Sequence, residues 1–165
     1  MKRQLLVCCA LILIPGFALG QELSGVESGR GYTFVAPGAV VSSGGNMGFL
    51  HFGGGGEVIL AKGFGIGCEI GYVGPMEYME QGVGLFSLNG LYSFKTNRLS
   101  RISPFVTGGY SVLFGSGHLN AVNFGAGIHY WFSRRVGLRL EVRDHVSPGY
   151  FSDHLIQGRI GIALR

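Results

Sequence analysis

Apolar and polar side chains alternate strictly over residues 136–145, which have the sequence VGLRLEVRDH. The apolar members are Val136, Leu138, Leu140 and Val142, and the residues between and after them are glycine, charged residues and histidine. Alternate side chains of an extended strand point to opposite faces, so this stretch would have one apolar face and one charged face. In a soluble sheet the apolar face packs on a core, whereas in a membrane barrel it meets lipid and the charges point inward.

The same period of two recurs through most of the chain and predicts eight strands. Their expected limits are residues 30–38, 48–60, 64–73, 83–95, 104–114, 120–132, 136–146 and 155–165. The connections alternate between turns at 61–63, 96–102 and 133–135 and loops at 39–47, 74–82, 115–119 and 147–154. Short turns of outer-membrane barrels face the periplasm. The pattern therefore predicts an all-β, eight-stranded antiparallel transmembrane up-and-down β-barrel with both chain ends on the periplasmic side.

Charged residues in the middle of the predicted strands all fall on one face. They are Glu57, Glu69, Arg139, Glu141, Arg143 and Arg159. This face also carries glycines that would make room for long side chains, among them Gly65, Gly67, Gly71, Gly125 and Gly127. The opposite face is apolar and includes Phe52, Val58, Leu60, Phe64, Ile66, Cys68, Ile70, Tyr72, Phe86, Leu88, Tyr92, Phe94, Val106, Tyr110, Val112, Phe114, Val122, Phe124, Ile128, Tyr130, Phe132, Ile156, Ile160, Ile162 and Leu164. A charge on the lipid face costs about 2–4 kcal/mol at the bilayer midplane, so this separation favours the membrane barrel.

Aromatic residues gather near both ends of the predicted strands. Phe64, Phe94, Phe105 and Phe132 lie near the turns, and Tyr72, Phe114, Tyr150 and Phe151 lie near the loops. Two girdles of aromatic residues, one at each membrane interface, are typical of outer-membrane barrels.

The first twenty residues have the composition of a cleaved signal peptide. Lys2 and Arg3 precede an apolar run at residues 5–14, and the small residues Ala18 and Gly20 form a cleavage site before Gln21. Residues 1–20 are therefore predicted to be a signal peptide and residues 21–165 one barrel domain. Cys8 and Cys9 fall within the apolar run, which leaves Cys68 as the one cysteine of that domain and excludes a disulfide framework.

Composition and charge exclude several classes of function. The chain has 31 glycines but is 47% hydrophobic and only 13% charged, so it is too apolar for a disordered protein. Without Lys2 and Arg3 it has 11 basic residues against 9 acidic ones, a net charge of +2 that implies no nucleic-acid partner. No nucleotide-binding or zinc-binding motif occurs, and no cofactor, metal site or catalytic residue is predicted. Of the five histidines, His51, His129 and His145 fall on the charged face, where a hydrogen-bonded interior histidine is expected.

The charged face predicts an ion-pair network that closes the lumen. With the turn at 61–63 centred near Lys62 or Gly63, Glu57 and Glu69 would lie roughly opposite each other on neighbouring strands and would need cationic partners. Across an eight-stranded barrel, Arg139 and Arg143 would point toward Glu69, and Glu141 would pair with Arg159 on the next strand. We therefore expect a filled interior and no open pore.

The whole predicted barrel domain resembles the small bacterial outer-membrane β-barrel domain family, the OmpA- and OmpX-like barrels. The resemblance lies in the segments GGGE at 54–57, PFVTGGY at 104–110, NFGAG at 123–127 and WFSRRVGLRLEVRDH at 131–145. It implies a monomer located in the outer membrane among its lipids and lipopolysaccharide, inserted by the barrel assembly machinery. In that family the last strand ends in an aromatic residue, whereas here it ends Ala163-Leu164-Arg165. The expected role is non-enzymatic, in envelope structure or in surface interaction through the loops, whose ligand the sequence does not identify.

Two alternatives stay open. Lipid A deacylases of the PagL type place a His-x-Ser pair near the outer rim, and this chain has His145 and Ser147 with Asp144 and Asp153 nearby. Against a catalytic role, the alternation points His145 toward the lumen, and the histidine and Asp144 would lie at the hydrated rim. The second alternative is a secreted soluble lipid-binding barrel, which would line its cavity with the apolar face.

Overall fold

Eight antiparallel strands form a closed barrel in the computed structural model, which describes residues 28–42, 45–94, 101–115, 117–147 and 154–165. Each strand pairs with its neighbours in the sequence, and the last strand pairs with the first. The strands are β1 Ser28–Ser42, β2 Gly45–Ala61, β3 Phe64–Pro75, β4 Val83–Ser93, β5 Ile102–Phe114, β6 His118–Trp131, β7 Val136–Val146 and β8 His154–Leu164. The predicted eight-stranded antiparallel barrel is thereby confirmed. The predicted signal peptide lies outside the described residues, as do residues 96–100 of the predicted turn at 96–102.

The two ends of the barrel differ in their connections. We call the end with the β2–β3 and β6–β7 connections the turn end, and the opposite end the loop end. The β3–β4 connection at the loop end contains a short 3₁₀ helix, Met79–Gln81. No helix among the described residues is long and apolar enough to span a membrane.

The predicted loop at 39–47 is wrong, because β1 and β2 continue through most of it. Their pairing extends from Ala39 opposite Gly48 to Ser42 opposite Gly45. Glycine, serine and asparagine have low strand propensity, which suggested a loop. In the hairpin, however, each strand supplies the backbone partners of the other, and the β-branched Val40 and Val41 favour the extended conformation.

The β2–β3 turn determines which interior residues face each other. Lys62 and Gly63 both have positive φ, 52° and 91°, as a two-residue turn of this handedness requires. The pairing shifts register between Ile59 and Ala61. As a result Glu57 pairs with Gly67, and Glu69 pairs with Gly55. The prediction that the two glutamates lie roughly opposite each other is therefore wrong, because the pairing beyond the irregularity is centred on Lys62 and offsets them by two positions.

The outer face of the barrel carries the large apolar side chains. None of the apolar positions assigned to this face from the sequence is buried. Val142, in β7, is 61% exposed, and Ile70, in β3, is 57% exposed. Aromatic residues near the turn end, Phe64, Phe94 and Phe132, are also exposed on this face.

Phe105 does not belong to the outer girdle, contrary to the prediction. It is the neighbour of the outward-facing Val106, so its side chain points into the barrel, where it is 2% exposed. Near the loop end Phe114 is exposed and Tyr72 is half-buried. Tyr150 and Phe151, which were assigned to the same girdle, lie outside the described residues.

Candidate functional site

The six charged residues predicted for the lumen all lie in the barrel interior, each at most 4% exposed. They come from four strands: Glu57 from β2, Glu69 from β3, Arg139, Glu141 and Arg143 from β7, and Arg159 from β8. Alternation directs them inward, because each occupies the position next to an outward-facing apolar or glycine residue. The lumen is therefore the candidate functional site, and we refer to these six residues as the charged layer.

Glu141 is the centre of the charged layer. Its carboxylate accepts hydrogen bonds from Arg139 at 3.0 Å, from Arg143 at 2.6 Å and from Arg159 at 3.4 Å. Arg159 lies directly opposite it on β8, so the predicted Glu141–Arg159 contact is present. One carboxylate thus holds three guanidinium groups in a site that excludes bulk water.

The other two glutamates pair with different arginines. Glu57 Oε2 accepts a hydrogen bond from Arg139 Nη1 at 2.8 Å. Glu69 forms an ion pair with Arg159 at 2.7 Å and a longer one with Arg143 at 3.4 Å. The predicted approach of Arg143 to Glu69 is present, whereas the predicted approach of Arg139 to Glu69 is wrong. The offset of the glutamates brings Glu57, and not Glu69, to the level of Arg139.

Several interior residues that complete this layer were not predicted. Arg30 donates a hydrogen bond to Glu57 at 3.3 Å, and the hydroxyl of Tyr32 donates one to Glu69 at 2.9 Å. Both come from β1, where they alternate with outward-facing Gly29, Gly31 and Thr33. This alternation is the feature of the sequence that could have indicated their inward direction. With the partly buried Arg30 included, four described arginines face three buried glutamates. The interior therefore has one more cation than anions.

Aromatic rings cover the arginines on the side of the turn end. The guanidinium carbon of Arg139 lies 4.2 Å from the ring centres of both Tyr32 and Phe105. The guanidinium carbon of Arg159 lies 3.7 Å from the ring centre of Phe34. Cation–π contacts of this kind stabilise a cation that has been removed from water. They also explain why Phe105 faces inward.

A second layer, closer to the loop end, is polar but uncharged. With the Gln157 amide oriented as in the structure, its oxygen accepts from His51 Nδ1 and its nitrogen donates to His145 Nε2, each at 2.9 Å. His145 Nδ1 then donates to Ser111 Oγ at 3.1 Å, and Ser111 also accepts from Asn123 at 2.9 Å. This chain of hydrogen bonds joins five strands across the barrel, β2, β5, β6, β7 and β8. We call it the amide–histidine layer.

The three histidines predicted for the lumen all lie inside the barrel. His51, His129 and His145 are all at most 1% exposed. His129 Nε2 accepts from Arg139 Nη1 at 3.1 Å, so this histidine belongs to the charged layer. The rim position expected for His145 is wrong, because Gln157 and Ser111 hold it inside the barrel.

Apolar clusters lie in the interior on both sides of the polar layers. Near the loop end Phe49, Val73 and Leu85 are buried together, with Val40, Val83, Leu113 and Leu155 packed against them. Near the turn end the buried cluster consists of Tyr32, Phe34, Ala36, Trp131 and Ala163. Side chains therefore fill the lumen at every level that the structure describes.

His145 and Ser147, the residues of the possible deacylase site, do not hydrogen-bond to each other. Ser147 points inward, and its hydroxyl donates to the carbonyl of Asn120 at 3.3 Å. Both ring nitrogens of His145 have partners other than Ser147. Asp144 instead faces outward near the loop end and pairs with His154 at 2.7 Å. Asp153 lies outside the described residues.

In the described ranges, no group of three His, Cys, Asp or Glu side chains lies close enough together to hold a metal ion. Cys68 is a free thiol on the outer face.

Several solved structures have an overall fold similar to that of this chain. The crystal structure of Neisserial surface protein A (NspA) is similar to this chain with a TM-score of 0.67 and 12% sequence identity, over 86% of this chain and 99% of NspA. The fold is that of the small outer-membrane β-barrels. Neither a protein-family model nor a curated protein sequence matches the chain.

Two further solved structures have this fold. The N-terminal barrel domain of Pseudomonas aeruginosa OprF is similar with a TM-score of 0.59 and 15% identity, over 83% of this chain and 98% of that domain. The outer membrane enzyme PagL is similar with a TM-score of 0.51 and 14% identity, over 81% of this chain and 99% of PagL. At such identities the similarity extends to the fold alone.

Proposed function

We propose that this chain is an integral outer-membrane protein with a closed, non-conducting lumen and a non-enzymatic role in envelope structure or surface interaction. The observation that carries the proposal is the contrast between the two faces of one sheet. Large apolar side chains are exposed on the outside, while six charged side chains are buried inside and form ion pairs with one another and with the partly buried Arg30. A soluble lipid carrier would have the opposite arrangement, with the apolar face lining its cavity.

The filled interior supports the absence of a pore. Ion conduction needs a continuous aqueous path, as in barrels of sixteen or more strands. In this barrel the charged layer, the amide–histidine layer and the apolar clusters follow one another along the axis. Salt-bridged arginines and glutamates in this arrangement join strands across the lumen, so we propose a mechanical role for them.

The loop end supports a role in surface interaction. Apolar side chains exposed there include Val41 at 41%, Met47 at 50%, Met76 at 51% and Tyr78 at 54%. The backbone N–H of Met76 donates to Gly48 O at 3.2 Å, which ties the β3–β4 connection to the extended β1–β2 hairpin. Exposed apolar groups on a fixed hairpin are suited to contact with another molecule.

The remaining parts of the proposal concern partners. We propose insertion by the barrel assembly machinery, a monomeric state and contact with outer-membrane lipids and lipopolysaccharide. The rival function, lipid A deacylation by His145 and Ser147, lacks geometric support because both side chains point away from the face on which a lipid substrate would lie.

Membrane insertion can be tested by cell fractionation and by gel mobility. The protein should be recovered with the outer membrane, and heated and unheated samples should migrate differently in detergent gels because a closed barrel resists unfolding. Recovery in the soluble periplasm with heat-independent mobility would refute the proposal and favour the soluble carrier.

The orientation can be tested by cysteine labelling in a Cys68→Ser background. Glu77→Cys at the loop end should react with a membrane-impermeant maleimide on intact cells, whereas Lys62→Cys at the turn end should react only after lysis. The reverse pattern would contradict an outward-facing loop end.

The closed lumen can be tested in planar bilayers. The folded protein should give no steady conductance, with a general porin as the positive control. Conductance of porin size would show an open lumen and would contradict the proposal.

A further inference from the structure

Charged side chains outside the lumen are distributed unequally between the two ends of the barrel. At the turn end the exposed charged residues are Lys62, Arg101, Arg134, Arg135 and Arg165. At the loop end they include Glu77 and Glu80. Within the described ranges, no acidic side chain lies outside the lumen at the turn end. The barrel therefore has a basic end and an acidic end.

Four exposed arginines lie at the turn-end limits of β5 to β8, and we call this set the arginine arc: Arg101, Arg134, Arg135 and Arg165. The backbone N–H of Trp131 donates to Arg101 O at 2.8 Å, and the N–H of Arg165 donates to Arg135 O at 3.0 Å. Ser133 Oγ accepts from the N–H of Arg135 at 3.2 Å, which fixes the tight turn between β6 and β7. These bonds hold the arc together across the ends of β5 to β8.

The arc lacks a counter-charge within the described part of the protein. No described carboxylate forms an ion pair with any of its four arginines, whereas the nearby Arg30 points inward and pairs with Glu57 at 3.3 Å. Partial burial, and then the positive charge of Arg30, lower the pKa of Arg165 from its ordinary value. Arg165 is held in this position by stacking 3.7 Å from the ring centre of Trp131. An anion bound at the arc would relieve this repulsion.

The outer face gives the depth of the arc relative to a membrane. Phe132 is exposed on the outer face, two residues before Arg134, and its ring contacts that of Tyr130. Phe64 and Phe94 are exposed near the same end. Because aromatic girdles mark the boundary between hydrocarbon and headgroups, arginines just beyond the girdle lie at the level of the lipid phosphates. Guanidinium groups bind phosphate through paired hydrogen bonds as well as through charge.

We propose that the arginine arc binds the headgroups of anionic phospholipids in the leaflet at the turn end. This inference rests on the proposed membrane insertion of the barrel. Headgroups of this kind supply the negative charge that no described side chain supplies outside the lumen at the turn end. Binding on one side of the barrel would give the protein a preferred lipid neighbour beside β5 to β8.

The test uses the folded protein in nanodiscs that contain equal amounts of phosphatidylcholine and phosphatidylglycerol. After release into detergent, native mass spectrometry counts the lipids that stay bound. The unmutated protein should retain phosphatidylglycerol in preference to phosphatidylcholine. Arg134→Gln/Arg135→Gln should lower this preference roughly fivefold for each arginine removed, and Arg134→Lys/Arg135→Lys should keep most of it.

Lys62→Gln is the matched control, since it removes a positive charge from the same end but from the distant β2–β3 turn. It should leave the lipid preference unchanged. Equal retention of the two lipids by the unmutated protein, or an equal loss in Lys62→Gln, would overturn the proposal. Displacement of phosphatidylglycerol by inorganic phosphate alone would assign the arc to free anions and would also overturn it.

Failure of the proposed function is a separate outcome in this experiment. A protein that does not insert would give no heat-dependent gel shift in the nanodisc sample, whereas an inserted protein without lipid preference would refute the arc alone. If the double glutamine variant does not fold, Arg101→Gln tests the same surface outside the tight turn and should lower the preference roughly fivefold.

Discussion

The inner and outer faces of the barrel are made from the same strands, yet the inner face carries charged side chains and the outer face carries apolar ones. On β7, Glu141 and Arg143 are buried among partners of opposite charge, while Val142 between them is 61% exposed. The inner face tolerates charges because each has a partner at hydrogen-bonding distance. The outer face excludes charges from its middle because lipid, which we propose surrounds it, offers none. A buried charge is therefore stable where a partner of opposite charge lies at hydrogen-bonding distance, and burial alone does not decide its stability.

The largest expected effect comes from removing the carboxylate that holds three arginines. Glu141→Gln would leave three buried arginines and the partly buried Arg30 with two glutamates, and should lower the free energy of unfolding by about 3–5 kcal/mol. Urea unfolding of the protein in lipid vesicles would measure it, with the fluorescence of Trp131, the single tryptophan, as the signal. Glu77→Gln, the same change on the exposed loop end, should have an effect within about 0.5 kcal/mol. Equal stability of both variants would show that the charged layer does not stabilise the barrel.

A somewhat smaller effect is expected from placing a charge on the outer face. Val142→Arg gives this face the side chain that Arg143 already has on the inner face, but without a carboxylate partner. Near the middle of β7 it should cost about 2–4 kcal/mol, whereas Val136→Arg at the turn end should cost about 0–1 kcal/mol. The same unfolding assay measures both. Equal costs at the two depths would argue against a membrane around the barrel.

Enlarging a residue inside the lumen should destabilise the barrel less than removing a buried charge from it. A Cβ atom added at Gly125 would lie 3.1 Å from Glu141 Oε1 and 2.8 Å from the carbonyl oxygen of Val142. Gly125→Ala should therefore cost about 1–3 kcal/mol through overpacking. Gly158 on the outer face has no atom within 4 Å of such a Cβ, so Gly158→Ala is the control and should not destabilise the protein. A neutral result at Gly125 would mean that the charged layer can shift to accept a larger residue.

The smallest effect is expected at Ser147, whose hydroxyl makes one long hydrogen bond to Asn120. Ser147→Ala should cost about 0.5–1.5 kcal/mol and should leave lipid A unchanged, since the side chain points inward. Mass spectrometry of lipid A from expressing cells measures the second part. Loss of an acyl chain in the presence of the unmutated protein, and its return with Ser147→Ala, would establish the deacylase instead.

Particular residues show how far the sequence alone could lead. The inward direction of Glu57, Glu69, Arg139, Glu141, Arg143 and Arg159 was predictable because a period of two allows only two faces. Their pairing was not, since the register shift between Ile59 and Ala61 decides which glutamate reaches Arg139. Arg30 and Tyr32 were missed because in β1 they alternate with small residues. Because the outward positions beside Arg30 and Tyr32 are small and not strongly apolar, the alternation of side chains did not indicate clearly which residues of this part of β1 face inward.

By itself, the sequence determined the number of strands, the composition of the two faces and the charged character of the interior. These are local properties, since each follows from the conformation of one extended segment. Only the tertiary structure decided the contacts of Arg139 with Glu57 and of His145 with Gln157, and the grouping of the four arginines of the arc at the turn end. The physical reason is closure of the barrel. When β8 pairs with β1, the relative register of all eight strands is fixed at once, and side chains distant in the sequence are brought to the same level of the lumen or of the rim.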